Sequence, residues 1–187
     1  MKINELPSQK YLKTILSYEP STGELYWKTR TQSDFDTDCV WYYKTWNSKN
    51  TNKPAGSVAE IKRKMSSYRY ISIRINGVAY KASRIIWKIV TGKDPLIIDH
   101  KNQDATDNRW DNLKNTDVLG NSKNTSKRID NISGVTGVSW RPEMNKWRAR
   151  INTEGKTKTL GVFENYEEAV ASIMEARVQY NYSLNHG

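Results

Sequence analysis

The stretch DHKNQDATDNRWDNL, residues 99–113, places a base, acids and several amides directly after the apolar run Leu96-Ile97-Ile98. The run predicts a short buried strand, which would deliver Asp99 and His100 to its end. Hydrolysis of a phosphodiester requires a base that deprotonates water and a Lewis acid near the leaving oxygen. A neutral imidazole and a divalent ion held by oxygen ligands meet these needs near pH 7. The stretch is therefore compatible with a hydrolytic site at the end of this strand, while an Asp-His pair taken alone is more often a capped turn in a polar loop.

Upstream of this stretch, residues 68–92 predict a β-hairpin followed by a helix. Isoleucines at 71, 73 and 75 alternate with polar residues, and Asn76-Gly77 suits a tight turn because both positions tolerate positive φ. Residues 84–92 continue with an apolar helical face, and Gly92 is a natural C-cap. The expected apolar face consists of Ile85, Ile86, Ile89 and Val90.

The N-terminal third contains weaker patterns. Residues 9–18 carry apolar side chains at helical spacing and predict a short amphipathic helix, and residues 18–27 predict a turn and a strand. Residues 29–67 are polar, and we expect them to be irregular with an aromatic cluster embedded in them. The cluster is interpreted as a local core, while stacking on nucleic-acid bases stays open as an alternative. Its members are Trp41, Tyr42, Tyr43 and Trp46.

The C-terminal part predicts a compact unit of three strands and a helix. Turns are expected near residues 143–146 and at Glu154-Gly155. The helix should begin after Asn165 as N-cap, with Glu168 closing a capping box. Its expected buried stripe is Ala169, Ile173, Ala176 and Tyr180. On the middle strand, the residues expected to face the helix are Trp147, Ala149 and Ile151, so the alternating arginines point outward.

Composition and charge favour a nucleic-acid partner. The formal net charge is +10, which suits polyanions, with nucleic acid first and an anionic membrane second. No apolar run approaches the length of about 18 residues that a membrane span requires, and the N-terminus lacks the apolar stretch of a secretion signal. A lone Cys39 argues against internal disulfides and thiolate zinc sites, as expected for a reducing cytoplasm.

Charge is also segregated within the C-terminal part. Residues 134–160 contain six Lys or Arg against Glu143 and Glu154, a net charge of +4. Residues 163–180 contain four glutamates against Arg177, a net charge of −3. A basic sheet backed by an acidic helix is expected to present the sheet to DNA and to turn the helix away from it.

Residues 97–113 with the segment LGNSKN, residues 119–124, resemble the HNH (ββα-metal) endonucleases, in the Asn-ending variant common among phage homing enzymes. The matching fingerprint is Asp99-His100, Asn112 and Asn121. By this resemblance His100 is the general base, and Asp99 with Asn121 binds one divalent metal. Asn112 hydrogen-bonds across the ββ loop and holds His100 in orientation, while Asn108 supports the same loop. The resemblance implies Mg²⁺, with Mn²⁺ as the alternative, and no structural zinc.

The resemblance to phage HNH proteins extends to residues 11–28, 52–57 and 82–95, with one departure. Those proteins usually show His-Arg where this chain has Ser83-Arg84. Ser83 is the best support for an alternative function, a sequence-specific DNA-binding regulator with a decayed, inactive HNH domain. A third interpretation is an RNA-binding protein that uses the aromatic residues of 41–46.

Residues 133–151 and 158–172 closely resemble the ethylene-response-factor (Apetala-type) DNA-binding domain, which inserts a three-stranded sheet into the major groove. Several arginines and a tryptophan of that family are Ser, Asn and Thr here, so the plant target sequence does not transfer. The positions that match DNA contacts of the family are Thr136, Ser139, Arg150, Asn152, Thr157 and Thr159. Arg141 and Arg148 are expected to contact phosphates.

These interpretations predict an α+β protein: a ββα-metal (HNH) nuclease domain followed by a small three-stranded antiparallel sheet packed on one helix. The expected domains are an HNH domain at 1–122, a basic linker at 123–133 and a DNA-binding domain at 134–187. The expected function is metal-dependent, homing-type cleavage of duplex DNA in the cytoplasm. We expect a monomer without a membrane partner or a small-molecule cofactor.

Overall fold

The computed structural model describes residues 4–35, 38–63, 66–117, 121–124, 127, 130–183 and 186. The chain divides into two units, Met1–Asn115 and Thr116–Gly187. Both combine helices with antiparallel sheets, which confirms the α+β class. None of the helices in the described part of the chain is both long and apolar enough to cross a membrane.

The first unit begins with α1 (Gln9–Ile15), β1 (Leu16–Glu19) and β2 (Glu24–Trp27). The Ser8 hydroxyl accepts a hydrogen bond from the Tyr11 N–H at 3.2 Å and caps the helix N-terminus. The predicted helix over 9–18 is too long, because Leu16 already pairs with Trp27 in an antiparallel strand. Pairing with β2 satisfies the backbone groups of residues 16–19 and buries Leu16, so tertiary contact overrides the helical periodicity.

The polar region 29–67 is more regular than its composition indicates. It forms α2 (Val40–Asn50) and β3 (Ser57–Arg63), so the expectation of an irregular segment is wrong. Trp46 packs edge-on against Trp27, with ring centroids 5.2 Å apart, and anchors α2 to the core. The local-core interpretation therefore holds for Trp46 and fails for Trp41, which is 72% exposed.

The predicted hairpin and helix are confirmed as β4 (Ser66–Ile75), β5 (Val78–Lys81) and α3 (Ala82–Thr91). Asn76 and Gly77 form the turn with φ of 47° and 78°, and Gly92 ends α3 in the left-handed region at φ 77°. Val90 was expected on the buried face of the helix but is 43% exposed. The core joins β4 and α3 to the N-terminal elements and contains Leu12, Ile15, Leu16, Ile73, Ile75, Ile85 and Ile86.

A two-stranded sheet of β6 (Ile97–His100) and β7 (Leu113–Thr116) follows α3. The strand before Asp99 is confirmed, although Leu96 is 71% exposed and Ile97 and Ile98 are only half-buried. The loop between the two strands ends in a short 3₁₀ turn, Trp110–Asn112. Its backbone is closed by the Lys101 N–H, which donates to the Asn112 carbonyl at 2.9 Å.

The second unit contains β8 (Val138–Arg141), β9 (Lys146–Thr153), β10 (Lys156–Phe163) and α4 (Tyr166–Gln179). The strands form an antiparallel sheet with β9 in the middle, and α4 packs on it through Ala149, Ile151 and Ile173. The helix is present as predicted, but its capping box is not formed. The Asn165 amide donates to the Glu168 carboxylate at 3.1 Å, so the two side chains bind each other and not the helix backbone.

Candidate active site

Asp99 and His100 are the last two residues of β6, where alternation sends their side chains to opposite faces. His100 is 7% exposed, whereas Asp99 is half-buried. A strand end is a good place for a reactive pair, because the preceding backbone is held by the sheet while the side chains border the loop. The arrangement places an imidazole and a carboxylate at adjacent positions but on opposite faces of β6, at the edge of the first unit's loop 101–112.

The His100 ring is oriented by Asn108, which is itself 2% exposed. His100 Nε2 lies 3.3 Å from Asn108 Oδ1, and Asn108 Nδ2 donates to the Thr106 carbonyl at 3.3 Å. The second bond fixes which end of the amide faces the ring. Because an amide oxygen only accepts, Nε2 carries the proton of the neutral imidazole and Nδ1 carries the lone pair.

Burial lowers the pKa of His100 below its ordinary value, against the opposing effects of the Asn108 contact and the Asp99 charge. A lowered pKa keeps the imidazole neutral at pH 7, which is the protonation state that accepts a proton. The ring is therefore both oriented and in the correct charge state for a general base.

Asn112 closes the loop between the two strands. Its Oδ1 accepts from the Asn102 N–H at 3.0 Å, while its Nδ2 donates to Asn102 Oδ1 at 2.9 Å and to the Asp107 carbonyl at 2.7 Å. These bonds cross the ββ loop, as the resemblance implied, and the loop in turn carries the Asn108 that faces the ring. The two asparagines thus divide the expected role: Asn112 shapes the loop and Asn108 contacts His100.

Two residues that the sequence did not single out hold the same loop from the N-terminal end of the chain. The Tyr18 hydroxyl donates to the Asn108 carbonyl at 2.8 Å. Gly23, at φ 80°, lies so close to the loop that a Cβ there would be 2.4 Å from the Arg109 nitrogen and 2.5 Å from the Asn108 carbonyl carbon. Only a glycine permits this approach. A turn glycine was visible in residues 18–27, but no local signal connects it with a loop about 85 positions away.

The charges of the loop act on Tyr18 and on each other. Burial, with the Asp107 and Asp111 carboxylates, raises the pKa of Tyr18 to about 12, so its hydroxyl stays a donor. The Arg109 side chain donates to Asp107 at 2.9 Å and 2.6 Å and lowers the pKa of that carboxyl to about 2. Trp110 of the loop packs against Trp87 of α3, with ring centroids 5.1 Å apart. The loop is thus anchored to β1 and to α3.

A divalent ion would find hard oxygen donors here. Among the residues that the structure describes, no three His, Cys, Asp or Glu side chains gather into a cluster, so a cysteine- or histidine-rich zinc cage has no counterpart in these residues. Mg²⁺ in contrast is commonly held by one or two carboxylates, with water and a substrate phosphate completing its shell. The carboxylate of Asp99 and an amide oxygen suit that pattern.

Asn121, the second expected metal ligand, belongs to the second unit. Its N–H donates to the Asp117 carbonyl at 3.0 Å, a bond of the helical i to i−4 type. Its approach to Asp99 stays a prediction.

The expected DNA contacts of the second unit share the sheet face opposite α4, apart from Thr136, which precedes β8. Cross-strand pairs of Ser139 with Arg148, Arg150 with Thr159 and Asn152 with Thr157 place these side chains together. Their neighbours Ala149 and Ile151 are buried against the helix, which confirms the predicted orientation of β9. Arg141, on the same face, lies 3.7 Å from Glu143, so part of its charge is offset.

The comparisons with known proteins agree with the position of this site. Residues 80–115 match the HNH endonuclease family. The chain is also 34% identical over 82 residues to Protein 3.8 of Escherichia phage T7, an overlap of 41% of this chain and 68% of the relative. No solved structure matches. The chain belongs to the same family as the phage protein, and its matched region, which contains Asp99, His100, Asn108 and Asn112, is that of an HNH-type nuclease.

Proposed function

We propose, from the family to which this chain belongs, that it is a metal-dependent endonuclease of the homing type that cleaves duplex DNA. The observation that carries the proposal is His100. It is buried at the end of β6, burial lowers its pKa, and Asn108 orients its ring. A histidine in this state next to a half-buried carboxylate suits proton abstraction from water beside a phosphate.

In the proposed reaction, water attacks the scissile phosphorus and His100 Nδ1 accepts its proton. The new P–O bond forms as the bond to the leaving oxygen breaks, and that oxygen is subsequently protonated from solvent. A divalent ion held by Asp99 and Asn121 would supply charge neutralisation at the phosphate and at the leaving oxygen. Asn108 keeps the ring in place during the transfer, and Asn112 with Tyr18 keeps Asn108 in place.

The sheet of the second unit is the proposed DNA-holding surface, in the manner of the ethylene-response-factor-type domains that it resembles. Support comes from the shared face of Arg148, Arg150 and Asn152. Within the described chain, the buried atoms Arg148 Nε and Ser139 Oγ have no hydrogen-bond partner. Arg150 and Asn152 are exposed on this face, so their side chains can reach a phosphate or a base edge.

The decisive experiment is cleavage of supercoiled plasmid DNA by the purified protein with Mg²⁺, Mn²⁺ or EDTA. We expect nicked or linear product with either metal and none with EDTA. His100→Ala should reduce the rate at least about 100-fold, since general-base catalysis contributes on that order. The matched control is His186→Ala, which removes the only other histidine in the chain and should leave the rate within a factor of about two. Equal rates for wild type and His100→Ala would refute the assigned base.

The regulator with a decayed HNH domain is the second candidate, and Ser83 favours it. This residue is buried in the first turn of α3, where phage HNH proteins usually carry a histidine. Tight binding of duplex DNA without cleavage under any divalent metal would select the regulator. Preference for single-stranded RNA over duplex DNA in a competition experiment would reject both candidates.

A further inference from the structure

A cavity of about 280 Å³ lies within the first unit, beside the strand that carries the candidate active site. One wall is apolar and includes Ile97 and Ile98, the two residues that directly precede Asp99. The other wall contains Tyr68, Lys81, Ser83 and Arg84. Ser83 is buried and also lines the cavity.

The two cations of this cavity are held by groups without a negative charge. Lys81 Nζ lies 4.9 Å and 5.1 Å from the ring centroids of Tyr68 and Tyr70, two rings that stack on each other on β4. Arg84 Nη1 donates to the Pro95 carbonyl at 3.1 Å. Among the described residues, no carboxylate lies within ion-pair distance of either cation. Both charges are thus oriented but not neutralised.

This pair lies close to the reactive residues, because Ile97 and Ile98, which directly precede Asp99, line the same cavity. Burial is the main cause of the lowered pKa of Lys81, and the charge of Arg84 adds to it. Lys81 in turn contributes, after burial, to the lowered pKa of His100. The Asp99 charge reaches Tyr68 on the opposite wall and contributes, after burial, to its raised pKa. A partly buried pair of like charges is unfavourable, and an anion that joins the pair relieves the repulsion.

We propose that Lys81 and Arg84 bind a backbone phosphate of DNA next to the phosphate that is cleaved. The proposal rests on the nuclease function proposed above. In this arrangement the cations neutralise the neighbouring phosphate, and the apolar wall of Ile97 and Ile98 contacts its deoxyribose. The contact sets the register of the strand, so that the scissile phosphate lies beside Asp99 and His100. Lys81 is a substrate-binding residue in this scheme, and the Tyr68 and Tyr70 rings are its positioning residues.

The test compares Lys81→Met with Lys10→Met. Both variants remove one positive charge and keep the apolar stem, but Lys10 is an exposed residue of α1. Binding of a fluorescent duplex is measured by anisotropy in the His100→Ala background without added metal, so the result does not depend on cleavage. Lys81→Met should weaken binding about tenfold, because it removes a hydrogen bond to a charged group. It should also reduce the slope of log K against log salt by about 0.9, and Lys10→Met should do neither.

Two further measurements exclude trivial explanations. Lys81→Arg should bind within about threefold of the parent, which separates loss of charge from loss of fold. On a duplex that contains the mapped cut site, a neutral methylphosphonate replaces single phosphates beside the cleaved bond. At one of these positions, the methylphosphonate should weaken binding of the parent protein but should not weaken binding of Lys81→Met any further.

The outcomes separate the two proposals. Equal DNA affinities of Lys81→Met and Lys10→Met overturn the phosphate site even if the protein cleaves DNA. So does a methylphosphonate that weakens binding of Lys81→Met as much as binding of the parent at every position. If the protein cleaves DNA with none of the tested metals but Lys81→Met still loses DNA affinity selectively, the phosphate site is supported and the proposed endonuclease function is rejected. The assignment is also overturned if Lys81→Met binds duplex DNA as tightly as the parent and loses affinity only for duplex RNA.

Discussion

The loop 101–112 and the outward face of the second unit's sheet place polar side chains in opposite ways. In the loop, Asn108 and Asn112 are buried, and their side chains contact His100 and Asn102 of the same unit. On the sheet, Arg150 and Asn152 are exposed and alternate with buried Ala149 and Ile151. The first region suits chemistry, which requires fixed geometry, and the second suits binding, which tolerates adjustment.

This difference has an energetic consequence. A buried amide that loses its hydrogen-bond partner lowers the free energy of unfolding by about 1–3 kcal/mol, because the amide gave up its hydrogen bonds to water on folding and gains none in return. When an exposed arginine is replaced by alanine, solvent occupies its place, and the free energy of unfolding changes by about 0.5 kcal/mol or less. Substitutions in the loop should therefore affect stability and turnover together, whereas those on the sheet should affect DNA affinity alone. The following predictions, ordered by size of effect, test this division.

The largest effect is expected for Gly23→Ala. The new Cβ would collide with the backbone of residues 108–109, and φ of 80° adds strain. The loop must shift, so we expect destabilisation of about 3 kcal/mol and a fall in cleavage rate of about 100-fold. Gly77→Ala is the matched control, with φ of 78° and no atom within 4 Å of its Cβ. It should cost about 1 kcal/mol and leave cleavage intact. Thermal denaturation and plasmid cleavage measure both; similar losses in the two variants would contradict the close-approach argument.

Asn108→Ala should have the next largest effect on turnover. It removes the acceptor that orients the His100 ring, and we expect cleavage to fall about 10- to 100-fold, as is typical when a supporting partner of a reactive group is lost. Asn112→Ala should cost about 1–3 kcal/mol of stability, since it breaks three loop bonds. The informative measurement is the rate at saturating DNA at a temperature where both variants are folded. A smaller rate loss for Asn108→Ala than for Asn112→Ala would reverse the roles assigned to them.

Arg150→Ala should weaken DNA binding about fivefold, with a salt slope lower by about 0.9, because it removes one exposed cation from the sheet. Its melting temperature and its rate at saturating DNA should match those of wild type. His100→Ala should show the opposite pattern, a lost rate with unchanged affinity. The comparison fails if Arg150→Ala slows cleavage at saturation, since the sheet would then take part in the reaction geometry.

The smallest effect concerns the Asp107–Arg109 pair. The pKa of Asp107 is about 2 in the folded protein, below its usual value, so the pair contributes stability above about pH 4 that is lost as the pH falls towards 2. Arg109 is exposed, so solvent screens the pair and its contribution to stability should be small. Urea unfolding should show that Arg109→Met is less stable than wild type at pH 6, with the gap narrowing below pH 4 and closing near pH 2. Arg74→Met, whose guanidinium donates to the neutral Gly77 carbonyl, should show a pH-independent difference.

Structural features that depend only on residues adjacent in the sequence could be predicted from the sequence. Asn76-Gly77 determined the hairpin turn, Gly92 the end of α3, and alternation in residues 146–152 the buried face of β9. Each of these follows from the backbone preferences of a few adjacent residues. The same reasoning failed at Leu16, where pairing with β2 replaced the end of the predicted helix, and at α2, which forms in a polar region.

Which residues surround His100 was decided by the tertiary structure alone. The Asn108 amide reaches the ring because the Asn112 bonds shape the loop, and because Tyr18 and Gly23 hold it from across the unit. The resemblance of residues 97–113 to the HNH endonucleases identified Asp99, His100 and Asn112 as a group. Contacts between residues about 85 positions apart arise only when the core brings their elements together, and no local preference encodes them.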